Sequence, residues 1–335
     1  MDILFDYEGA SIDVLENDIK NNIIIVSPKI ENDAYSNYYN FKIKNNSNEE
    51  GIIYIKNLNN LLFDSDIMPF YRKDKEVFKH IDKDKIKKES DGIKISIDKK
   101  EEIEISQYPR YIKEDLDSFL KNIKNENIKI SDDIVKKITI GDESKKAIVV
   151  IGRQHPGETL SSFFIEGMIS EIVENYQEYK DSYFLFYPIV STNGVKNGNH
   201  RYTDGIDYNR SWKTSGLSKE IDYIKEELSK IKIDNCIDVH CDEISDIDYV
   251  RTKKSELIKE FSNVKVIADN TKLRRFFRAL IRQRKIINLS QLTAREYVAK
   301  KYKCDSMLIE LGLQHNDSES SREKGKEFIK NLKRG

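Results

Sequence analysis

The stretch Ala147-Ile148-Val149-Val150-Ile151-Gly152-Arg153-Gln154-His155-Pro156-Gly157-Glu158-Thr159 organises the chain. Its first five residues are uniformly apolar, as in a strand covered on both faces, and the Leu160, Phe163, Phe164, Gly167, Met168 and Val173 that follow have helical spacing. Between strand and helix, a Pro-Gly turn holds a histidine and a glutamate three positions apart. An imidazole nitrogen and a carboxylate oxygen can then aim at one point, which is the geometry a divalent metal needs. A zinc site for hydrolysis usually takes three protein ligands and keeps one position for water. The third ligand is sought at another strand end, and His240 in Ile237-Asp238-Val239-His240-Cys241-Asp242-Glu243 is the best candidate. An acid-base residue is needed too, and Glu310 closes a further apolar run, Met307-Leu308-Ile309-Glu310-Leu311-Gly312.

Each of these residues has a plainer reading in isolation. His155 reads as a turn histidine, Glu158 as an acid favoured by the helix dipole, and His240 as a satisfied strand-end histidine. A glutamate in an apolar strand is expensive unless paired or functional, which favours a chemical role for Glu310. Asp238, two residues before His240 and on the same strand face, suits a partner that orients the imidazole.

Taken in order, His155-Pro156-Gly157-Glu158-Thr159, Asn197-Gly198-Asn199-His200-Arg201, Gly205-Ile206-Asp207-Tyr208-Asn209-Arg210-Ser211-Trp212, Asp238-Val239-His240 and Ile309-Glu310 resemble the zinc metallocarboxypeptidase family. Within it, the likeness is to the cytosolic carboxypeptidases, some of which remove glutamate from protein tails. The resemblance implies one zinc ion per chain on His155, Glu158 and His240, with Glu310 as general base and then general acid. It further implies that Arg201 polarises the scissile carbonyl and stabilises the oxyanion, while Asn209 and Arg210 grip the C-terminal carboxylate. Thr293-Ala294-Arg295 resembles a motif of the glutamate-removing members and implies that Arg295 receives an acidic side chain. The implied partner is a peptide or protein C-terminal tail of acidic character. The basic stretch Lys272, Arg274, Arg275, Arg278, Arg282 and Arg284 would draw in such tails, or else form an amphipathic helix packed through Phe276, Phe277, Leu280 and Ile281.

With 335 residues, two domains are expected. Residues 1–107 show short apolar or alternating runs between Asn-rich turns, the pattern of an all-β sandwich, and the cytosolic carboxypeptidases also carry one ahead of the catalytic domain. Pro109 marks the passage to residues 108–335. There, apolar strands at 147-151, 183-190, 233-239, 264-268 and 306-311 alternate with helices at 159-178, 217-231, 291-302 and after Ser318. The fold class expected is α/β, a carboxypeptidase-like mixed and mostly parallel sheet with helices on both faces. In such a sheet ligands bind beyond the carboxyl ends of the strands, where His155, His240 and Glu310 fall.

The formal net charge of −1 offers no basic field for nucleic acid. No apolar run approaches the roughly 20 residues needed to cross a bilayer, and the acidic start Met1-Asp2-Ile3-Leu4-Phe5-Asp6 is not a secretion signal, so a cytoplasmic setting is expected. Three cysteines, Cys236, Cys241 and Cys304, fit a reducing compartment.

The match departs from the family in three places. Cys241 stands where a glycine is frequent and brings a thiol near the metal. Ser306-Met307-Leu308 replaces a Ser-Tyr-Thr run, and the family's substrate-contacting tyrosine has only Tyr249 and Tyr297 as substitutes. The segment between His240 and Glu310 is trimmed. Two rival readings follow: an amidase for γ-D-glutamyl cell-wall peptides or N-acyl amino acids, and a binding protein with a relict zinc site.

Overall fold

A computed structural model of the chain describes residues 1–36, 38–58, 68–123, 126–242, 245, 247–261, 263–268, 291–313 and 315–332. The basic stretch from Lys272 to Arg284 lies outside them. Near the N-terminus, two five-stranded sheets face each other. One has the spatial order 2–4, 40–44, 102–106, 70–72, 79–80, and the other 86–89, 92–97, 51–56, 23–27, 13–18. Alternation decides which side chains meet between them: Phe41, Ile43, Ile103 and Ile105 from the first sheet pack on Ile24, Val26, Ile53, Ile55 and Ile95 from the second. A small separate hairpin, Ile30–Glu31 paired with Ala34–Tyr35, stands beside them.

Beyond Pro109, eight strands form a single mixed sheet. In chain order they are β1 (Ile128–Asp132), β2 (Lys136–Gly141), β3 (Ala147–Gly152), β4 (Tyr183–Tyr187), β5 (Ile233–Asp242), β6 (Tyr249–Thr252), β7 (Lys265–Ala268) and β8 (Asp305–Gly312). Their spatial order is β1-β2-β4-β3-β5-β8-β6-β7. The central four, β4, β3, β5 and β8, are parallel, and β2 and β6 join them antiparallel at either side. The hairpin β1–β2 and the strand β6 were absent from the sequence expectation. Ile128-Lys129-Ile130-Ser131 sits in a Lys- and Asn-rich surround, where a short half-exposed alternation carries little signal.

Among the described residues, five helices of eight residues or more cover the sheet: α1 (Lys113–Asn122), α2 (Leu160–Glu174), α3 (Lys219–Ser229), α4 (Ala294–Tyr302) and α5 (Ser318–Asn331). Successive residues of β3 explain why both faces need cover. Ile148 and Val150 join one core with Phe164, Met168, Phe328 and Ile329 of α2 and α5, while Val149 and Ile151 join the other with Ile221, Ile224, Leu228 and Val298 of α3 and α4. Helices α2 and α5 cross with little separation. A Cβ on Gly167 would lie 1.9 Å from the Arg322 carbonyl oxygen, and one on Gly325 2.0 Å from that of Phe164. Side chains fix the starts of three helices: Ser218 accepts from the Ile221 N–H, Thr293 from that of Glu296 and Asp317 from that of Ser320. Among the described residues no helix is long and apolar enough to cross a membrane.

Candidate active site

The parallel strands β3, β5 and β8 end on one edge of the sheet, and the turn after β3 starts the site. Arg153 takes a left-handed backbone (φ 53°), a rare conformation for a residue with a side chain. Its buried guanidinium holds the turn in place, donating to the Pro156 carbonyl at 3.0 Å, the Tyr111 carbonyl at 3.1 Å and the Ser162 hydroxyl at 3.1 Å. The next turn of chain then presents His155 and Glu158 together.

Glu158 sits between two imidazoles. His155 Nδ1 lies 2.6 Å from its Oε1, and His240 Nδ1 lies 2.8 Å from its Oε2. The Cys241 N–H also donates to Oε2, at 3.1 Å. Among the described residues, His155, Glu158 and His240 form a trio able to hold a metal ion, with their ligand atoms within 4.8 Å of one another. Burial works to raise the Glu158 carboxyl, and the two imidazoles more than reverse this, holding it well below the ordinary range.

The outer nitrogens of both rings are engaged elsewhere. His155 Nε2 is 3.2 Å from Asp207 Oδ1, and His240 Nε2 is 3.0 Å from Asp238 Oδ1. With a metal on Nδ1, each ring would carry its proton on Nε2, facing its carboxylate. Two nitrogens and one carboxylate, buried, aimed inward and oriented from behind, match the donor chemistry of zinc. Asp238 is itself fixed by Gln154, whose Nε2 donates at 2.6 Å and whose Oε1 accepts from the Trp212 indole at 2.6 Å.

Asn209 stands beside His240. Its Oδ1 accepts the Ala294 N–H at 3.2 Å, which fixes the orientation of the amide. Its Nδ2 lies 3.1 Å from His240 Nε2. Arg210 donates only to the Asn209 carbonyl, at 3.0 Å, and has no carboxylate partner among the described residues. Arg201 is tied to Asp207 through Nε at 3.2 Å and Nη2 at 2.8 Å.

Glu310 stands directly opposite His240 in the β5–β8 register. Burial, against the opposing pull of His240 and with the help of Glu158, pushes its carboxyl up to about 7. All eight residues singled out in the sequence, His155, Glu158, His240, Glu310, Arg201, Asn209, Arg210 and Arg295, line one cleft of about 410 Å³. Arg295 is 3% exposed, in the first turn of α4, and donates to the Arg251 carbonyl at 3.5 Å. It is therefore part of the cleft wall and not an exposed helix residue.

Three further residues belong to this site. Asp207 was quoted within a motif but given no task. Arg251 on β6 faces the same cleft, with Leu308 opposite it and Tyr249 two residues before, opposite Glu310. Its guanidinium lies 5.1 Å from the Tyr249 ring centre and meets no carboxylate among the described residues. Gln154 is the third. Of the two tyrosines considered, Tyr249 lines the cleft with its hydroxyl 3.3 Å from Asp242 Oδ2. Tyr297 instead packs on Trp212 at 5.9 Å between ring centres. The Cys241 thiol turns to the Glu158 carbonyl oxygen, 3.6 Å away, and burial pushes it up.

The fold is that of the metallo-carboxypeptidases. A metallo-carboxypeptidase structure from Burkholderia cenocepacia superposes with a TM-score of 0.78 over 98% of this chain and 96% of that one, at 16% identity. A metallo-carboxypeptidase from Pseudomonas aeruginosa, in complex with (2-guanidinoethylmercapto)succinic acid, gives 0.76 over 98% and 97%, at 17% identity. In sequence, an uncharacterised protein of Zymomonas mobilis is 26% identical over 208 residues, 56% of this chain and 53% of that protein. Cytosolic carboxypeptidase 1 of Mus musculus is 38% identical over 72 residues, 20% of this chain and 6% of that protein. The match thus spans about half the length of the first relative and a small part of the second. No protein-family model matches the chain.

Proposed function

We propose that this protein is a zinc carboxypeptidase that removes a C-terminal amino acid, glutamate or another acidic residue, from peptide or protein tails, including branched ones, in the cytoplasm. What carries the reading is one juxtaposition: the trio His155, Glu158 and His240 shares a cleft with Glu310 and with the guanidinium groups of Arg201, Arg210 and Arg295. In this reading residues 1–107 form the sandwich module and residues 108–335 the catalytic one.

Zinc held by His155, Glu158 and His240 would supply a Lewis acid that acidifies water and polarises a carbonyl. Glu310 accepts the proton of the attacking water on its carboxylate and returns it to the leaving amine. Arg201 donates to the oxygen on which charge develops, and Asp207 keeps its guanidinium oriented. Asn209 Nδ2 and the Arg210 fork bind the terminal carboxylate, which restricts cleavage to the last peptide bond. Arg295 receives the acidic side chain of the departing residue.

Digestion of a peptide library by the zinc-loaded protein, read by mass spectrometry, tests this. Release of C-terminal glutamate or aspartate ahead of lysine and leucine supports it. Preference for lysine, or turnover of only muropeptides or N-acyl amino acids, overturns it.

A further inference from the structure

The loop that carries Arg201 has little internal structure of its own. Between the short helix Thr192–Lys196 and the 3-10 turn Tyr208–Arg210, the described backbone forms a single isolated bridge, Thr203 with Ile206. The N–H groups of His200, Arg201 and Tyr202 are satisfied from elsewhere, by one carboxylate 169 to 171 positions away. Glu31 Oε1 accepts from His200 at 2.5 Å, and Oε2 accepts from Arg201 at 3.0 Å and from Tyr202 at 3.2 Å. Three consecutive amides turned to one anion form a concave donor surface, so the acceptor determines the path of the loop.

Glu31 is mounted rigidly. It belongs to the hairpin Ile30–Glu31 and Ala34–Tyr35, whose two connecting residues, Asn32 and Asp33, both have positive φ (48° and 63°). That is the tight turn whose twist matches paired strands. The Ser36 N–H closes the hairpin base on the Lys29 carbonyl at 2.8 Å. The same loop is pressed from other sides. The Gly9 N–H donates to the Lys196 carbonyl at 3.0 Å, and Gly198, at φ +67°, runs so near Ala10 that a Cβ would lie 2.3 Å from its carbonyl oxygen. On the metal side, the Gly157 N–H donates to the His200 carbonyl at 2.7 Å. His200 thus links the turn bearing His155 and Glu158, through its carbonyl, to the N-terminal part of the chain, through its N–H.

We propose that Glu31 is a positioning residue of the active centre: by capping the amides of residues 200–202 it holds Arg201 over the cleft, so the N-terminal module completes the site it precedes. This rests on the role given to Arg201 above. Arg201 acts where charge develops in the transition state, so its displacement lowers kcat and leaves substrate binding intact. A misplacement of about 1 Å costs on the order of 10²-fold in rate.

The test uses the full-length zinc-loaded protein with Glu31→Ala, Glu31→Gln, Arg201→Ala and the Glu31→Ala/Arg201→Ala pair. Glu31→Ala is expected to lower kcat by about 10- to 100-fold with KM and zinc content within about twofold, and Glu31→Gln, which keeps one acceptor oxygen, to recover part of the loss. On the Arg201→Ala background, Glu31→Ala should cost nothing more. Hydrogen exchange should show residues 200–202 losing protection while β3 keeps its own. Unchanged kcat and unchanged protection overturn the proposal, as does an equal loss on both backgrounds, which would mark a general structural effect. If the parent protein turns over no peptide, the carboxypeptidase reading fails by itself. The exchange comparison still decides this proposal, with retained protection at 200–202 overturning it and lost protection supporting it.

Discussion

Asp207 joins His155 to Arg201: its Oδ1 lies 3.2 Å from His155 Nε2, and its Oδ2 accepts from Arg201 Nη2 at 2.8 Å. Burial raises its carboxyl, and the bond to His155 and the charge of Arg201 overcome this, keeping it ionised well below the usual carboxylate range. One anion therefore orients both His155 and Arg201, in the proposed function a metal ligand and the oxyanion donor. Asp207→Asn should weaken zinc affinity by about 10- to 100-fold, as loss of such a partner generally does, and lower kcat more than KM. Chelator competition and steady-state kinetics on the same preparation measure the two effects.

Glu310 offers a cleaner separation of metal from chemistry. It lies next to His240 across the strand pair but is not among the trio. Glu310→Gln is expected to retain stoichiometric zinc and to lose about 10²- to 10⁴-fold in kcat. Metal analysis beside turnover checks this, and zinc lost together with activity would remove Glu310 from its proposed role.

Selectivity should divide between Arg295 and Arg251. Arg295 is buried in the cleft wall, and Arg251 presents a guanidinium from β6 with no carboxylate partner among the described residues. Arg295→Ala should reduce the preference for C-terminal glutamate over leucine by about 10- to 100-fold, and Arg251→Ala by less, since its guanidinium is the more solvated. Competition between the two peptides in one tube reads the ratio directly.

Acid should weaken the protein at Glu104. This 3% exposed carboxylate accepts from Arg110 Nε at 2.7 Å, Arg72 Nε at 2.8 Å and Asn40 Nδ2 at 3.0 Å. Burial raises its carboxyl, and the two guanidinium groups together bring it below the normal value. With a folded pKa beneath the unfolded one, its stabilisation is fully present above about pH 4.3 and is lost as pH falls through the lower folded value. Glu104→Gln should cost about 3–5 kcal/mol at neutral pH by stranding two arginines. The gap in Tm between parent and variant should close below about pH 4, which a thermal series from pH 3 to 7 follows.

The central sheet and the metal trio were legible because each rests on local pattern. A uniformly apolar run sets β3 and a shorter one, Met307-Leu308-Ile309, marks β8, with His155, Glu158 and Glu310 just after them and His240 near the end of β5. The eight chosen positions line one cleft, and His155, Glu158, His240 and Glu310 meet there because parallel strands end on one edge. Arg251 was not legible, since β6 is four residues long with half-exposed positions and joins the sheet antiparallel. Glu31 was still less so: an acid in a two-residue strand has no periodicity to mark it, and its partners lie far off in sequence. Long-range hydrogen bonds to backbone leave no trace in spacing.

The side-by-side placement of His240 and Glu310 on hydrogen-bonded parallel strands has a consequence for heat inactivation. Their separation is a repeat distance of the sheet, about 4.8 Å, and can widen only when the ladder itself unzips. Arg201 instead hangs on a loop held by scattered hydrogen bonds, with Glu31 on its amides and Asp207 on its guanidinium. Warming should silence the enzyme before the sheet melts, with the cation still held and the rate already gone.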